Sequence, residues 1–104
     1  STYTTVVGRS NSFLGPYVNK NGESMLDNKY EVLIRASDRF VGPGHNSEIV
    51  TDSEGNEWML YHSYDRHTPS KGRYLMIDRI VWENDWPMIV GNSPSTEAEA
   101  PVCK

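Results

Sequence analysis

His45 is the residue of this sequence best placed to do chemistry. It directly follows Phe40-Val41-Gly42-Pro43-Gly44 and precedes Asn46-Ser47. Pro43 fixes its own φ and pushes Gly42 out of the helical region, and the two glycines can take conformations closed to other residues. The expectation is a stiff, sharply bent loop that delivers His45 to one defined place. Gly44 is expected at a positive φ, where a valine would be damaging. A neutral imidazole presented this way can bind a metal, hydrogen-bond a substrate or move a proton. The plainer alternative is a structural histidine tied to a backbone carbonyl at a strand start. Asn46 and Ser47 either orient the imidazole and its waters or cap the turn.

The other reactive groups read more plainly. His62 lies mid-run on the face of Trp58, Leu60 and Tyr64, a place for a packed, hydrogen-bonded histidine rather than a ligand. Asp65, Arg66 and His67 share a polar loop, where charges are ordinarily solvated. Asp52 and Glu54 are turn residues. Trp58, Trp82 and Trp86 can stack on a ring-shaped ligand, but at strand positions core packing is the first reading.

These groups must be held by one small domain, because 104 residues allow no more. The hydrophobic fraction is 37% and the mean hydropathy is −0.63, so the core is lean. Three Trp, six Tyr and two Phe suit strands, and equally a surface for polar, ring-shaped ligands. The net charge of −4 is spread without a basic run, which excludes nucleic acid as a partner. No apolar stretch approaches the roughly 20 residues of a membrane helix. Cys103 stands alone near the C-terminus and has no internal disulfide partner. No signal-peptide pattern opens the chain. It begins instead on Thr2–Val7, already strand-like, as though a preceding segment or a partner supplied the rest.

The pattern predicts strands over Tyr3–Arg9, Tyr30–Ala36, Glu48–Thr51, Glu57–Tyr64, Arg73–Trp82 and Trp86–Val90. Turns fall at Asn19-Lys20-Asn21-Gly22, between two hairpin strands, and at Asp52-Ser53-Glu54-Gly55, with Gly55 left-handed. In Glu57–Tyr64, Met59 and Tyr61 face one way and Trp58, Leu60, His62 and Tyr64 the other. Arg73–Trp82 is apolar on both faces in places and reads as buried between layers. Pro87 marks an edge strand. From Gly91 the composition turns to a Ser, Pro, Glu and Ala tail, read as mobile or surface-lying. No helical period is present, so the fold class is all-β. Residues 47–90 form an antiparallel four-stranded up-and-down unit, the length of one propeller blade at roughly 40–45 residues. What precedes it adds about two strands, making about one and a half blades where closure takes about four to eight.

An ordered series of residues now points to a family. Val7-Gly8-Arg9-Ser10, Gly15-Pro16-Tyr17 and Phe40–Ser47 come first. Asp52, Gly55, Trp58, Tyr61-His62 and Tyr64-Asp65 follow. Gly72-Arg73, Ile77-Asp78, Trp82 and Trp86-Pro87 complete it. The series resembles the C-terminal part of glycoside hydrolase family 43, nearest the endo-α-1,5-L-arabinanases, over residues 2–90. The resemblance implies a partial five-bladed β-propeller, with half of blade four and all of blade five in residues 1–90 and a polar tail over 91–104. It implies inverting hydrolysis of α-1,5-linked L-arabinofuranosyl bonds in arabinan or arabino-oligosaccharides, and an extracellular or periplasmic, secreted setting. The family's three catalytic acids lie on blades one to three, so no residue here inherits a catalytic role. The GPGH histidine carries over to His45, which in arabinanases helps hold a metal, usually calcium, largely through waters. Residues 25–31 depart from the family's glycine run, with Asp27-Asn28-Lys29-Tyr30 in its place.

Calcium wants six to eight oxygens, so one imidazole is a poor site unless waters and further blades complete the shell. The two carboxylates of an inverting glycosidase stand about 6.5–9.5 Å apart across the sugar, and no two acids here are paired in that way by the sequence. The expectation is therefore the C-terminal portion of an arabinan-degrading hydrolase, inactive as this chain alone. The competing reading is a non-catalytic carbohydrate-binding or interaction module built from propeller blades. In either case the open edge of Tyr3–Arg9 and the blade faces should be covered by missing N-terminal blades or by further copies of the chain.

Overall fold

The computed structural model describes residues 3–96 and 100–101. Cys103 lies outside them. Seven strands and three short 3₁₀ turns make up the regular structure of the described residues, so the all-β reading holds. The strands form two sheets. The smaller is an antiparallel pair, β1 (Thr5–Val7) with β2 (Glu31–Ile34), irregular between Thr5 and Val6. The larger contains β3 (Phe40–Gly44), β4 (Val50–Thr51), β5 (Glu57–Asp65), β6 (Arg73–Glu83) and β7 (Trp86–Ile89). Its order is β3-β5-β6-β7, with β4 also on β5.

β5 and β6 form the spine, paired from Glu57↔Ile80 to Tyr64↔Arg73. The alternation of β5 is as the sequence predicts: Met59 and Tyr61 are buried on one face, with Leu60, His62 and Tyr64 half-buried on the other. The turn before β5 forms because the Asp52 carboxylate accepts the backbone N–H groups of Glu54 and Asn56, both at 2.9 Å. Gly55 takes the left-handed conformation there, φ 83°. Pro87 sits opposite Trp82 on the outermost strand, where its missing N–H costs no ladder bond.

The Gly-Pro-Gly run is a strand, not the bent loop expected. β3 pairs antiparallel with β5 through Phe40↔Asp65, Val41↔Tyr64 and Gly44↔His62, with its register shifting between Val41 and Gly44. The shift absorbs Pro43, which cannot donate to the ladder. Beyond it the chain stays on β5, through Ser47 N–H to Leu60 O at 2.8 Å and then Val50↔Trp58. Phe40–Thr51 is thus one interrupted strand, and the expected strand at Glu48–Thr51 is only its last two residues. The positive φ belongs to Gly42 (65°) and His45 (50°), not to Gly44. Gly44 is needed for space: a Cβ there would come 2.6 Å from the Tyr3 ring. Gly42→Ala should therefore cost about 1–3 kcal/mol, as a buried non-glycine residue forced left-handed. Gly44→Ala should cost less, about 1 kcal/mol, because it needs the exposed Tyr3 ring to turn away and the Tyr3 Cβ, 3.2 Å off, to shift slightly, with no left-handed backbone to strain. Thermal melts of the two variants check this ordering.

The sheets share one core of Leu33 and Ile34 from β2, Met59 and Tyr61 from β5, Ile80 from β6 and Ile89 from β7. Val7 and Met76 pack against it. The hydroxyl of Tyr61 donates to Asp78 Oδ2 at 2.6 Å inside this core. β6 departs from expectation. Only its Asp78 and Ile80 are buried, while Leu75 is 78% exposed and Trp82 54% exposed. Met76, Asp78 and Ile80 share the face turned to the core, and Trp82 has the same parity but lies beyond it near the end of the strand, while Leu75 and Ile77 lie exposed on the opposite face.

Between β1 and β2 the chain makes an irregular excursion. Its ladder is two single bridges, Arg9↔Val18 and Val18↔Ser24, rather than a hairpin of strands. The predicted turn is present, closed by Gly22 N–H to Asn19 O at 3.1 Å. The start of the presumed tail is not loose. The Asn92 side-chain amide donates to Val32 O at 3.2 Å, and Asn92 O accepts the N–H of Arg35 at 2.7 Å. Pro94 is buried, and Ser95 N–H reaches Asp78 Oδ2 at 3.2 Å.

Candidate functional site

β3 presents His45 where the sequence said a reactive imidazole would be, exposed just beyond Gly44. The register Gly44↔His62 then places a second imidazole beside it, ring centres 5.8 Å apart. Tyr3 lies 6.1 Å from the His62 ring, and Tyr64 meets it edge-on at 6.5 Å. An open groove of about 480 Å³ runs along His45, Asn46, Ser47, Leu60, His62 and Leu75. Asn46 donates to Ser47 O and Ser47 to Glu48 O, at 2.9 and 2.7 Å. Both side chains are thus turn caps, and neither is aimed at His45.

His62 is the residue that sequence reasoning placed outside the site. Its strand parity was legible, but the face that meets His45 depends on a tertiary pairing between β3 and β5. Its Nδ1 is buried without a hydrogen-bond partner among the described residues. Burial, then the nearby Arg73 charge, then His45, all push its pKa below the ordinary histidine value. A group held neutral in the fold adds stability that is lost as pH falls below about 6.5, where the unfolded chain takes up the proton. The His62 ring protons should titrate below about 6.5 in an NMR pH series, and Arg73→Gln should move the midpoint up. A midpoint unmoved by that change would remove the Arg73 contribution.

The groove is lined by imidazole, hydroxyl, amide and apolar groups, with no carboxylate among the described lining residues. No group of three or more His, Cys, Asp or Glu converges to hold a metal among the described residues. Two imidazoles without carboxylate oxygens do not suit calcium, so this chain's donors alone do not fit that ion.

The remaining candidates have structural partners. Asp65 accepts the backbone N–H of His67 at 2.9 Å and pairs with Arg39 at 3.5 Å. The first of these contacts leads in holding its pKa below the usual carboxylate value. Arg66 binds Asp38 O and Ser37 O, both at 2.9 Å, so the loop is pinned to the β2–β3 connection rather than solvated. Trp58 and Trp86 are buried, and Trp58 donates to Asp52 at 3.0 Å. Exposed Trp82 donates to Glu57 Oε1 at 2.7 Å.

The chain is similar to known proteins. The profile of the glycosyl hydrolases family 43 matches residues 1–87. An extracellular exo-α-(1→5)-L-arabinofuranosidase of Cellvibrio japonicus is 36% identical over 90 residues, which is 86% of this chain and 25% of that protein. An extracellular endo-α-(1→5)-L-arabinanase of Bacillus subtilis is 37% identical over 87 residues, 84% of this chain and 25% of the other. Among solved structures, the α-L-arabinanase of Cellvibrio cellulosa superposes with a TM-score of 0.71 at 35% identity, covering 86% of this chain and 28% of that one. The endo-arabinanase of Bacillus licheniformis gives 0.72 at 31% identity, covering 85% and 29%. The chain spans about a quarter of the length of the curated relatives it matches. Its two sheets are part of the five-bladed β-propeller of those relatives, about one and a half blades. The chain belongs to glycosyl hydrolase family 43.

Proposed function

We propose that this chain is the C-terminal portion of a secreted arabinan-degrading hydrolase, which cleaves α-1,5-linked L-arabinofuranosyl bonds with inversion once the rest of the propeller is present. The observation that carries this reading is the His45 groove on β3, set in a chain that aligns over 84% or more of its length with arabinan-cleaving enzymes. A solved relative was crystallised with arabinohexaose, which supports a linear arabino-oligosaccharide as the ligand. The relatives' extracellular descriptions support secretion.

The chain's own acids do not supply the chemistry. An inverting mechanism needs an acid and a base about 6.5–9.5 Å apart across the sugar. The buried carboxylates here are committed elsewhere, Asp65 to the Arg39 and His67 lock and Asp78 to Tyr61. The contribution of this chain is a channel wall carrying His45 and a neutral His62. A metal at His45 is part of the same proposal, with oxygens supplied by waters and upstream blades.

The test is reconstitution. The purified chain should release no sugar from linear arabinan. Mixed or co-expressed with the upstream blades of a family relative, it should restore hydrolysis, and His45→Ala should then lower both metal content and melting temperature. Hydrolysis by the chain alone would overturn the assignment of the acids. Saturable binding of arabino-oligosaccharides without turnover in the reconstituted protein would favour a binding module instead.

A further inference from the structure

A second groove lies by the β6–β7 turn, away from His45. It has a volume of about 720 Å³ and is lined by Arg9, Ser10, Asn11, Ser12, Pro16 and Asp85, among others. That size is within the range of about 300–1,000 Å³ typical of small-molecule sites. Leu75 pairs with His62, and Arg9 binds Asn84 nine positions further along the chain, the last of them just past β6. At about 3.3 Å per residue that keeps the groove within about 30 Å of the imidazole pair while separating the two along the strand.

Arg9 is fixed although it is exposed. Its guanidinium lies over the Trp86 ring, 4.4 Å from the centroid, and Nη1 donates to Asn84 O at 2.9 Å. The guanidinium's other hydrogen bond is a long one to Asp85 O at 3.5 Å, and it makes no ion pair with a carboxylate among the described residues. Asn84 and Asp85, at φ 52° and 63°, form the tight turn between β6 and β7 and bring the Asp85 carboxylate to the groove. Neither the Asp85 carboxylate nor the Asn11 amide has a hydrogen-bond partner among the described residues. Ser10 and Ser12 each accept a backbone N–H, which leaves their O–H groups free to donate.

This inventory selects a ligand class. The groove holds a guanidinium, a carboxylate, an amide and two hydroxyls. A ligand anion would meet Asp85 and a net charge of −4, and a ligand cation would meet Arg9. A neutral polyol satisfies both, because each sugar hydroxyl donates to one group and accepts from another. The apolar platform, Trp86, is covered by Arg9, so the site reads hydroxyls rather than a stacked ring face. We infer that the Arg9–Asp85 groove is a second oligosaccharide-binding site, separate from the channel. On the functional reading above, its ligand is a stretch of arabinan held while another stretch occupies the channel.

The experiment is an NMR titration of the chain with arabinohexaose, xylohexaose and maltohexaose, repeated on Asn11→Ala, on Asp85→Asn, which keeps the left-handed turn, and on Arg9→Lys, which keeps the charge but loses the planar fork. Circular dichroism confirms that each variant is folded. Saturable shifts at Ser10, Asn11 and Asp85 are expected, with affinity weakened about tenfold in each folded variant and unchanged in His45→Ala. Shifts confined to the His45 groove, or variant affinities equal to wild type, overturn the second site while leaving the arabinanase reading standing. Binding here of xylohexaose or maltohexaose but not of arabinohexaose keeps the oligosaccharide site and overturns the arabinan assignment. No saturable shift at Arg9, Asn11 or Asp85 with any of the three sugars overturns the site.

Discussion

Ile34→Ala should uncouple the two sheets. Ile34 is fully buried and stands where β2 meets Met59, Tyr61, Ile80 and Ile89. Truncation removes the methyl groups that fill that junction, and a substitution of this kind costs about 2–5 kcal/mol. The total stability of a domain is about 5–15 kcal/mol, and a lean core belongs at its lower end. The expected outcome is a denaturant midpoint lowered by roughly a third or more, from about 2–5 kcal/mol of lost stability. Hydrogen exchange should show the β1–β2 amides losing protection before those of β5 and β6. Uniform loss of protection across both sheets would show that they fold as one unit and that Ile34 is an ordinary core residue.

The second large effect belongs to Asp78. Its Oδ2 accepts the Tyr61 hydroxyl at 2.6 Å and the Ser95 N–H at 3.2 Å. Asp78→Ala leaves both donors without an acceptor, at about 1–3 kcal/mol for each buried group. Tyr61→Phe removes one donor and should be milder. Burial, then the hydrogen bond to Asp78, then its charge, push the Tyr61 pKa well above the ordinary tyrosine value. The folded protein therefore keeps this proton when the unfolded chain releases it. Stability from this residue is complete below about pH 10 and falls as pH rises above it. Urea melts from about pH 8 to about pH 11, on either side of the ordinary tyrosine pKa of about 10, should show an alkaline loss in wild type that is reduced in Tyr61→Phe. An identical alkaline limb in both proteins would locate the titration elsewhere.

Much of the larger sheet was legible in the sequence, because one of its faces is buried and burial imposes alternation. Met59 and Tyr61 against Leu60 and His62, Gly55 in its turn and Pro87 on an edge all follow from local rules. Phe40–Gly44 was not legible as a strand, since Gly and Pro are strand breakers by propensity and only the pairing with β5 overrides them. β6 was misread for the opposite reason. Leu75, Ile77 and Trp82 have the composition of a buried strand, and composition does not say whether the covering layer is within the same 104 residues. His45 was found from its own neighbours. His62 joined it only through register, and the polar groove at Arg9 joins residues from β1's exit and the β6–β7 turn that no short window contains.

The clasp between Asn92 and β2 governs the order in which the chain can fold. Its two amide contacts span sequence separations of 60 and 59 residues, whereas β5, β6 and β7 follow one another through short turns. Local hairpins close with little loss of chain entropy, and distant pairings wait until that loss is offset by other contacts. The β5–β6–β7 meander can thus form first and serve as the template. During synthesis, β1 and β2 leave the ribosome before the surfaces that receive them, and they stay unclasped until residue 92 emerges. Over that interval β1 and β2 are the strands of this unit most exposed to mispairing, so its chaperone dependence should trace to them although the bond that ends it is made by Asn92.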